Sequence, residues 1–176
     1  NAPDIITCAK GLTGAALPLG AVIISAEVYA KIKDQLFNAG LTYCGHPMSC
    51  AVGLAAVDAY RDEGLIERSH VLGQQMFQQL KQMQAQHAVV GDVRGGDGLF
   101  AVLELVSDPE SKAPIAPWPD KHPKLNALVA DAMQQGVSFA TRGNLLILAP
   151  PLVIEEHDLA LALSLLDDLL TKYFKE

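Results

Sequence analysis

Short apolar runs, each stopped by glycine or proline, alternate along this chain with longer stretches of helical periodicity. That alternation restricts it to a mixed α/β architecture. Asp4–Cys8 and Ala21–Ile24 read as short buried strands, because Ile5, Ile6, Thr7, Val22 and Ile23 favour extended backbone. Between them Lys10-Gly11 and Thr13-Gly14 read as a loop. Glu27–Phe37 has the pattern of a short helix, and Asn38–Pro47 that of a loop carrying Thr42, Gly45 and His46. Met48–Tyr60 is small and apolar around most of its circumference, which predicts a helix buried on most sides. Gly64 breaks it.

Further on, Leu65–His87 is a helix whose Leu72, Met76, Leu80 and Met83 share one face, as core residues do. Val89-Val90 and Phe100–Val106 read as strands, with Gly91, Gly95, Gly96 and Gly98 in the turn between them. A strand follows that glycine-rich stretch and no Gly-Lys-Ser/Thr ends it, so it is not a phosphate loop. Asp108–Pro123 is a proline-rich loop around Trp118. Lys124–Gln135 is a helix with Gly136 as its stop signal. Val137–Ala140 and Leu145–Leu148 are strands around Arg142-Gly143-Asn144. Glu155–Phe174 is an amphipathic helix, acidic at its start and carrying Lys172 near its end. Residues 1–66 thus read as the end of a larger α/β domain with a connecting helix, and residues 67–176 as a compact α+β domain.

The 176 residues are half hydrophobic and 19% charged, enough apolar material for a sizeable core. Net charge is -7 and no basic cluster stands out, which argues against nucleic acid or an anionic membrane as partner. No apolar run is long enough to span a bilayer. Three cysteines, an odd number without a dense framework, predict a reduced, cytoplasmic protein. Cys44 and Cys50 flank His46, but the spacing matches none of the usual zinc patterns, so no metal is expected. The chain opens at Asn1, without Met and close to a strand, as a fragment of a longer protein would.

Lys10 is the residue with the most chemistry to offer. Between apolar strands an isolated ammonium is costly to desolvate, desolvation favours the neutral amine, and the neutral amine attacks carbonyls. That suits a Schiff base with an aldehyde cofactor. The surrounding residues sharpen this. Pro3-Asp4-Ile5-Ile6-Thr7-Cys8-Ala9-Lys10-Gly11-Leu12-Thr13-Gly14, continuing to Pro18-Leu19-Gly20-Ala21-Val22, resembles the cofactor-lysine segment of the class III aminotransferases, the ω-transaminase group of fold type I. Thr42-Tyr43-Cys44-Gly45-His46-Pro47 resembles their second signature, with Cys44 in place of the usual serine. Gly91-Asp92-Val93-Arg94-Gly95 to Gly98-Leu99-Phe100 resembles the start of their C-terminal domain, and Ala149-Pro150-Pro151-Leu152 the strand end before the last helix.

The resemblance implies an α/β fold of the type I pyridoxal-phosphate-dependent class: the C-terminal piece of the large domain, then the small α+β domain. It implies pyridoxal 5'-phosphate as cofactor, held by Lys10 as a Schiff base, with Lys10 also moving the proton between substrate and cofactor. Thr42 would bind the cofactor phosphate, reaching into the neighbouring subunit of a homodimer. Arg142 would clamp a substrate carboxylate through two parallel hydrogen bonds. His46 would fix the Thr42 loop, Arg94 would pair with a nearby acid, and Asp4 would serve as a turn or cap residue. The implied reaction moves an amino group from an amine or ω-amino acid donor to a keto acid such as pyruvate. Other pyridoxal-phosphate reactions of the same fold (decarboxylation, aminomutation, racemisation) and a non-catalytic dimerisation or binding module are the alternatives. In the family the aspartate that pairs with the pyridine nitrogen lies upstream of this segment, so these residues alone are not expected to catalyse transamination.

Overall fold

Ile5, Ile6 and Thr7 open the first strand, β1 (Ile5–Ala9), which pairs antiparallel with β2 (Gly20–Ile24), setting Ile5 against Ile24 and Ala9 against Gly20. These elements belong to a computed structural model that describes residues 2–175. The chain divides at Gly64 into two units, Asn1–Gly64 and Leu65–Glu176.

In the first unit, a single turn of 3-10 helix (Lys10–Thr13) fills the link between the strands. Helix α1 (Ala26–Ile32) starts at Ser25, whose Oγ accepts from Val28 N at 3.3 Å and donates to Asp4 Oδ1 at 3.2 Å. Asp4 is thus part of a cap, as the sequence suggests. The helix stops at Ile32 rather than at Phe37. Leu36 and Phe37 bury nothing, being 88% and 71% exposed. A short helix gains its stability from packing, so it frays where packing ends. Helix α2 (Pro47–Asp62) begins with His46 as N-cap and proline at the first position, where a missing N–H costs nothing.

Two expectations of burial fail in this unit. Ile5, Val22 and Ile23 on the hairpin are more than half exposed, and α2 buries only Ser49 and Gly53. A two-stranded ribbon has two faces, and the described elements of this unit leave much of both uncovered. Gly53 is buried because α2 lies on the Lys10–Thr13 turn. A Cβ there would sit 2.7 Å from Leu19 Cδ2 and 3.6 Å from Leu12 O.

The second unit holds a larger core. Helix α3 (Leu65–Gln86) presents Leu72, Met76, Leu80 and Met83, all buried, as their spacing predicts. They meet an antiparallel sheet in the order β3 (Val90–Gly95), β4 (Ala101–Asp108), β7 (Leu145–Leu148), β6 (Ala140–Arg142), with β5 (Ala113–Pro114) paired to the end of β4. Helices α4 (Pro123–Gln134) and α5 (Glu156–Phe174) complete the core. Alternation in β4 sends Ala101, Leu103 and Leu105 inward at 0% exposure, while Glu104 faces the other way. Arg68 donates to Leu152 O at 2.7 Å and to Ile154 O, tying α3 to the Pro150-Pro151 segment. Lys172 of α5 bonds Asp131 of α4 at 2.6 Å, which holds the Asp131 carboxyl below its ordinary range.

Two strand boundaries differ from the sequence reading. Gly91 and Gly95 lie in β3, not in the turn after it. A Cβ on Gly91 would meet Val106 Cγ1 at 2.5 Å, and the register slips between Val90 and Asp92. The strand placed at Val137–Ala140 instead spans Ala140–Arg142. Gly136, at φ 87, ends α4, and Val137 N turns back to donate to Ala132 O at 2.9 Å. Residues 137–139 therefore leave the helix before pairing begins.

Gly73 is a position where only glycine fits. It faces the β3–β4 turn, and a Cβ there would lie 2.3 Å from Gly98 O and 2.4 Å from Gly98 C. Alanine gains about 1 kcal/mol of helix propensity. The clash is with backbone, so relieving it displaces either α3 or the turn, at about 1–3 kcal/mol or more. Gly73→Ala is expected to lower the unfolding midpoint of the second unit in a denaturant titration. An unchanged or raised midpoint would show that the turn gives way freely.

Candidate active site

Lys10 follows directly on the last residue of β1 and adopts a left-handed backbone, φ 59, although it has a side chain. That region is sparsely populated by residues with a Cβ, and such departures gather where function requires them. The turn is closed by Ala15 N donating to Lys10 O and Gly14 N donating to Gly11 O, both at 3.1 Å. Thr13, 3% exposed, donates through Oγ1 to Leu17 O at 2.6 Å. The Tyr60 hydroxyl of α2 donates to Gly11 O. The lysine side chain is exposed and makes no hydrogen bond or ion pair among the described residues. The sequence suggests a buried setting for this amine. Within the described residues the amine is uncovered, as are most side chains of the flanking strands.

Thr42 opens a tight turn, residues 42–45, that leads into α2. Cys44 N donates to Leu41 O at 2.9 Å, and Gly45 takes φ 67, a conformation that costs glycine nothing. His46 N donates to Tyr43 O at 3.3 Å, and His46 O accepts from Cys50 N at 3.0 Å, so His46 joins the turn to the helix. Its ring leans on Tyr43, centroids 6.2 Å apart. His46 Nδ1 is buried with no hydrogen-bond partner among the described residues. Cys44 and Cys50 are exposed, and Cys8 is half-buried. Among the described residues no three His, Cys, Asp or Glu side chains gather as metal ligands would.

Arg142 belongs to the second unit. It ends β6 opposite Leu145, across a two-residue turn in which Gly143 has φ 58. Its guanidinium carbon stands 5.1 Å from the centroid of the Trp118 ring, which brings the proline-rich loop against this hairpin. A cation over an exposed indole gains about 0.5–1 kcal/mol. The stacked face leaves the N–H edge of the guanidinium free to donate. Arg94 pairs with acids, as the sequence suggests: its Nη1 donates to Glu104 Oε2 at 2.6 Å and to Asp92 Oδ2 at 2.8 Å. The Glu104 bond chiefly raises the Arg94 pKa. Partial burial pushes Asp92 upward, but bonds from Arg94 and Val93 N outweigh it and hold the carboxyl below its ordinary value.

Lys10 and Thr42 thus share one unit, joined through α2 rather than by a direct hydrogen bond, and Arg142 lies in the other. Three surface clefts of the second unit contain none of the three. Tyr60 and Trp118 are the residues that sequence reasoning did not place. No local signal links Tyr60 to a carbonyl 49 residues earlier.

The fold is that of the type I pyridoxal-phosphate-dependent transferases. An amine transaminase from an uncultivated Pseudomonas species, solved in its PLP-bound form, superposes with a TM-score of 0.89 at 33% identity, over 97% of this chain and 39% of that one. The taurine:2-oxoglutarate aminotransferase of Bifidobacterium kashiwanohense, in complex with PLP and glutamate, gives 0.85 at 32% identity, over 97% and 38%.

A profile of class-III aminotransferases matches residues 1–170, and the chain belongs to that family. The uncharacterized aminotransferase YhxA of Bacillus subtilis (strain 168) is 35% identical over 90% of this chain and 36% of its own length. The chain spans about a third of the length of the curated relatives it matches. Class-III aminotransferases use pyridoxal phosphate. No helix among the described residues is long and apolar enough to cross a membrane.

Proposed function

We propose that the chain is the C-terminal part of a transaminase that moves an amino group from an amine or amino acid to a keto acid, with Lys10 holding pyridoxal phosphate as a Schiff base. The observation that carries this is the left-handed Lys10, its amine free at the end of β1 within a segment matching the family. On this reading residues 1–66 are the end of the cofactor-binding large domain, and residues 67–176 are the small domain. The assembly is a homodimer in the cytoplasm, with Thr42 of each subunit serving the other's site.

The residues present suit that cofactor. Lys10 offers a primary amine with no competing partner among the described residues, and Thr42 offers a hydroxyl at a helix-leading turn. The orphaned His46 Nδ1 in the same loop is a polar atom that a loaded site would have reason to satisfy. When bound, the cofactor supplies an electron sink that makes the amine-bearing carbon of a substrate acidic. Lys10 Nζ would hold the cofactor and, when free, would take and return the proton at that carbon. Thr42 Oγ1 would donate to a phosphate oxygen and so help to hold the cofactor. Arg142 directs its guanidinium edge to a substrate carboxylate, with Trp118 holding the plane of the fork.

The test is to load the full-length parent with pyridoxal phosphate, reduce with borohydride, digest and locate the adduct by mass spectrometry. A phosphopyridoxyl group on Lys10 supports the reading, and an unmodified Lys10 in folded, loaded protein overturns it. Product formation that needs no keto acid would move the assignment to a decarboxylase, aminomutase or racemase. Thr42→Ala in the parent is expected to raise the cofactor dissociation constant about ten- to a hundredfold, the loss of one hydrogen bond to a charged group. Equilibrium dialysis measures it, and an unchanged constant removes Thr42 from the phosphate site.

A further inference from the structure

We propose that Tyr60 is a positioning residue for Lys10, acting through the carbonyl of Gly11. The proposal rests on the reading of Lys10 given above. Lys10 sits in a left-handed conformation, φ 59, that residues with a Cβ disfavour. The bonds that close its turn are local: Ala15 N to Lys10 O and Gly14 N to Gly11 O. The donors are themselves left-handed, Gly14 at φ 58 and Ala15 at φ 64, so the turn holds two residues with a Cβ, Lys10 and Ala15, in a disfavoured region. A tie from outside is needed to hold such a backbone.

Tyr60 supplies one. Its hydroxyl donates to Gly11 O, the carbonyl one residue past the lysine, from a helix 49 residues away in sequence. The hydroxyl also stands beside the Gly11 backbone, where a Cβ would lie in ordinary contact with it at 3.6 Å. Seven residues earlier in α2, Gly53 rests on Leu12 and Leu19, so the helix lies along the turn and Tyr60 reaches it from a fixed base. The same helix begins directly after the Thr42 turn. One helix therefore adjoins the segments of both residues proposed to hold the cofactor.

The test compares the full-length parent with its Tyr60→Phe variant, which keeps the ring and removes only the hydroxyl. In the unloaded protein, amide hydrogen exchange at Gly14 and Ala15 is expected to rise about two- to tenfold, the worth of one net hydrogen bond, while Ile6 in β1 stays unchanged. In the loaded protein, the pH midpoint of the visible absorption band is expected to shift, and kcat to fall about two- to tenfold with KM held within about twofold. Faster exchange with an unmoved band midpoint and unchanged kcat would show a merely structural hydroxyl and overturn the proposal. Wild-type protein that takes a borohydride-trapped adduct on Lys10, beside a variant identical in every readout, overturns the Tyr60 proposal alone. Wild-type protein that takes no adduct on Lys10 overturns the functional reading, and this proposal with it.

Discussion

Lys10→Arg in the full-length parent is expected to abolish borohydride-trapped cofactor at position 10 and to cost on the order of 10²–10⁴ in turnover or more. Arginine keeps a long cationic side chain, so charge and surface character stay as they are. What it loses is a nucleophile. The guanidinium remains protonated at any working pH and forms no Schiff base. Lys10 makes no hydrogen bond or ion pair among the described residues, so the replacement breaks none of these contacts. In the unloaded parent the thermal midpoint is therefore expected to change by only about 2 °C, while added pyridoxal phosphate, which binds the folded state, is expected to raise the wild-type midpoint more than the variant's. Retained activity with a stable fold would mean that Lys10 is not the cofactor lysine. The dimerisation-module reading would then lead.

Leu103→Ala is expected to destabilise the second unit by about 2–5 kcal/mol. Leu103 has 0% exposure on β4, the strand bonded on both sides, where it pairs with buried Val93 and Leu146. Truncation removes the transfer energy of the lost carbons and leaves a cavity that strands on both sides cannot collapse into. Small domains have about 5–15 kcal/mol in hand, so one such change uses a large share of the total. At about 4–8 °C per kcal/mol, the melting midpoint should fall by about 8 °C or more. A shift under about 3 °C would mean that α3 and α5 close over the gap. The contrast with Lys10→Arg is useful: one change removes chemistry and spares the fold, the other does the reverse.

Local signals decided much of this molecule. The i, i+4 spacing of Leu72, Met76 and Leu80 marked the buried face of α3, and Gly136 marked the end of α4. Such features depend on periodicity and turn chemistry within a few residues, which is the information a single chain displays. The candidate site was legible for a different reason. Lys10 and Thr42 lie in contiguous motifs, so their neighbours in sequence announce them.

Contacts between distant segments left no such trace. Gly91 looks like a turn residue because glycine commonly is one. It stands in β3 because Val106, fifteen positions on, leaves no room for a Cβ. The Tyr60–Gly11 bond and the Arg142–Trp118 stack likewise join residues that nothing in the linear order connects. Burial was the least legible property. Ile5, Val22 and Leu54 are apolar enough for a core, yet all are more than half exposed. Hydrophobicity states what a residue gains if covered, whereas burial depends on whether another layer arrives to cover it. Apolar pattern and motif came from the chain's own residues, and close approach, edge and cover came from the fold, because those are relations between segments that meet only in three dimensions.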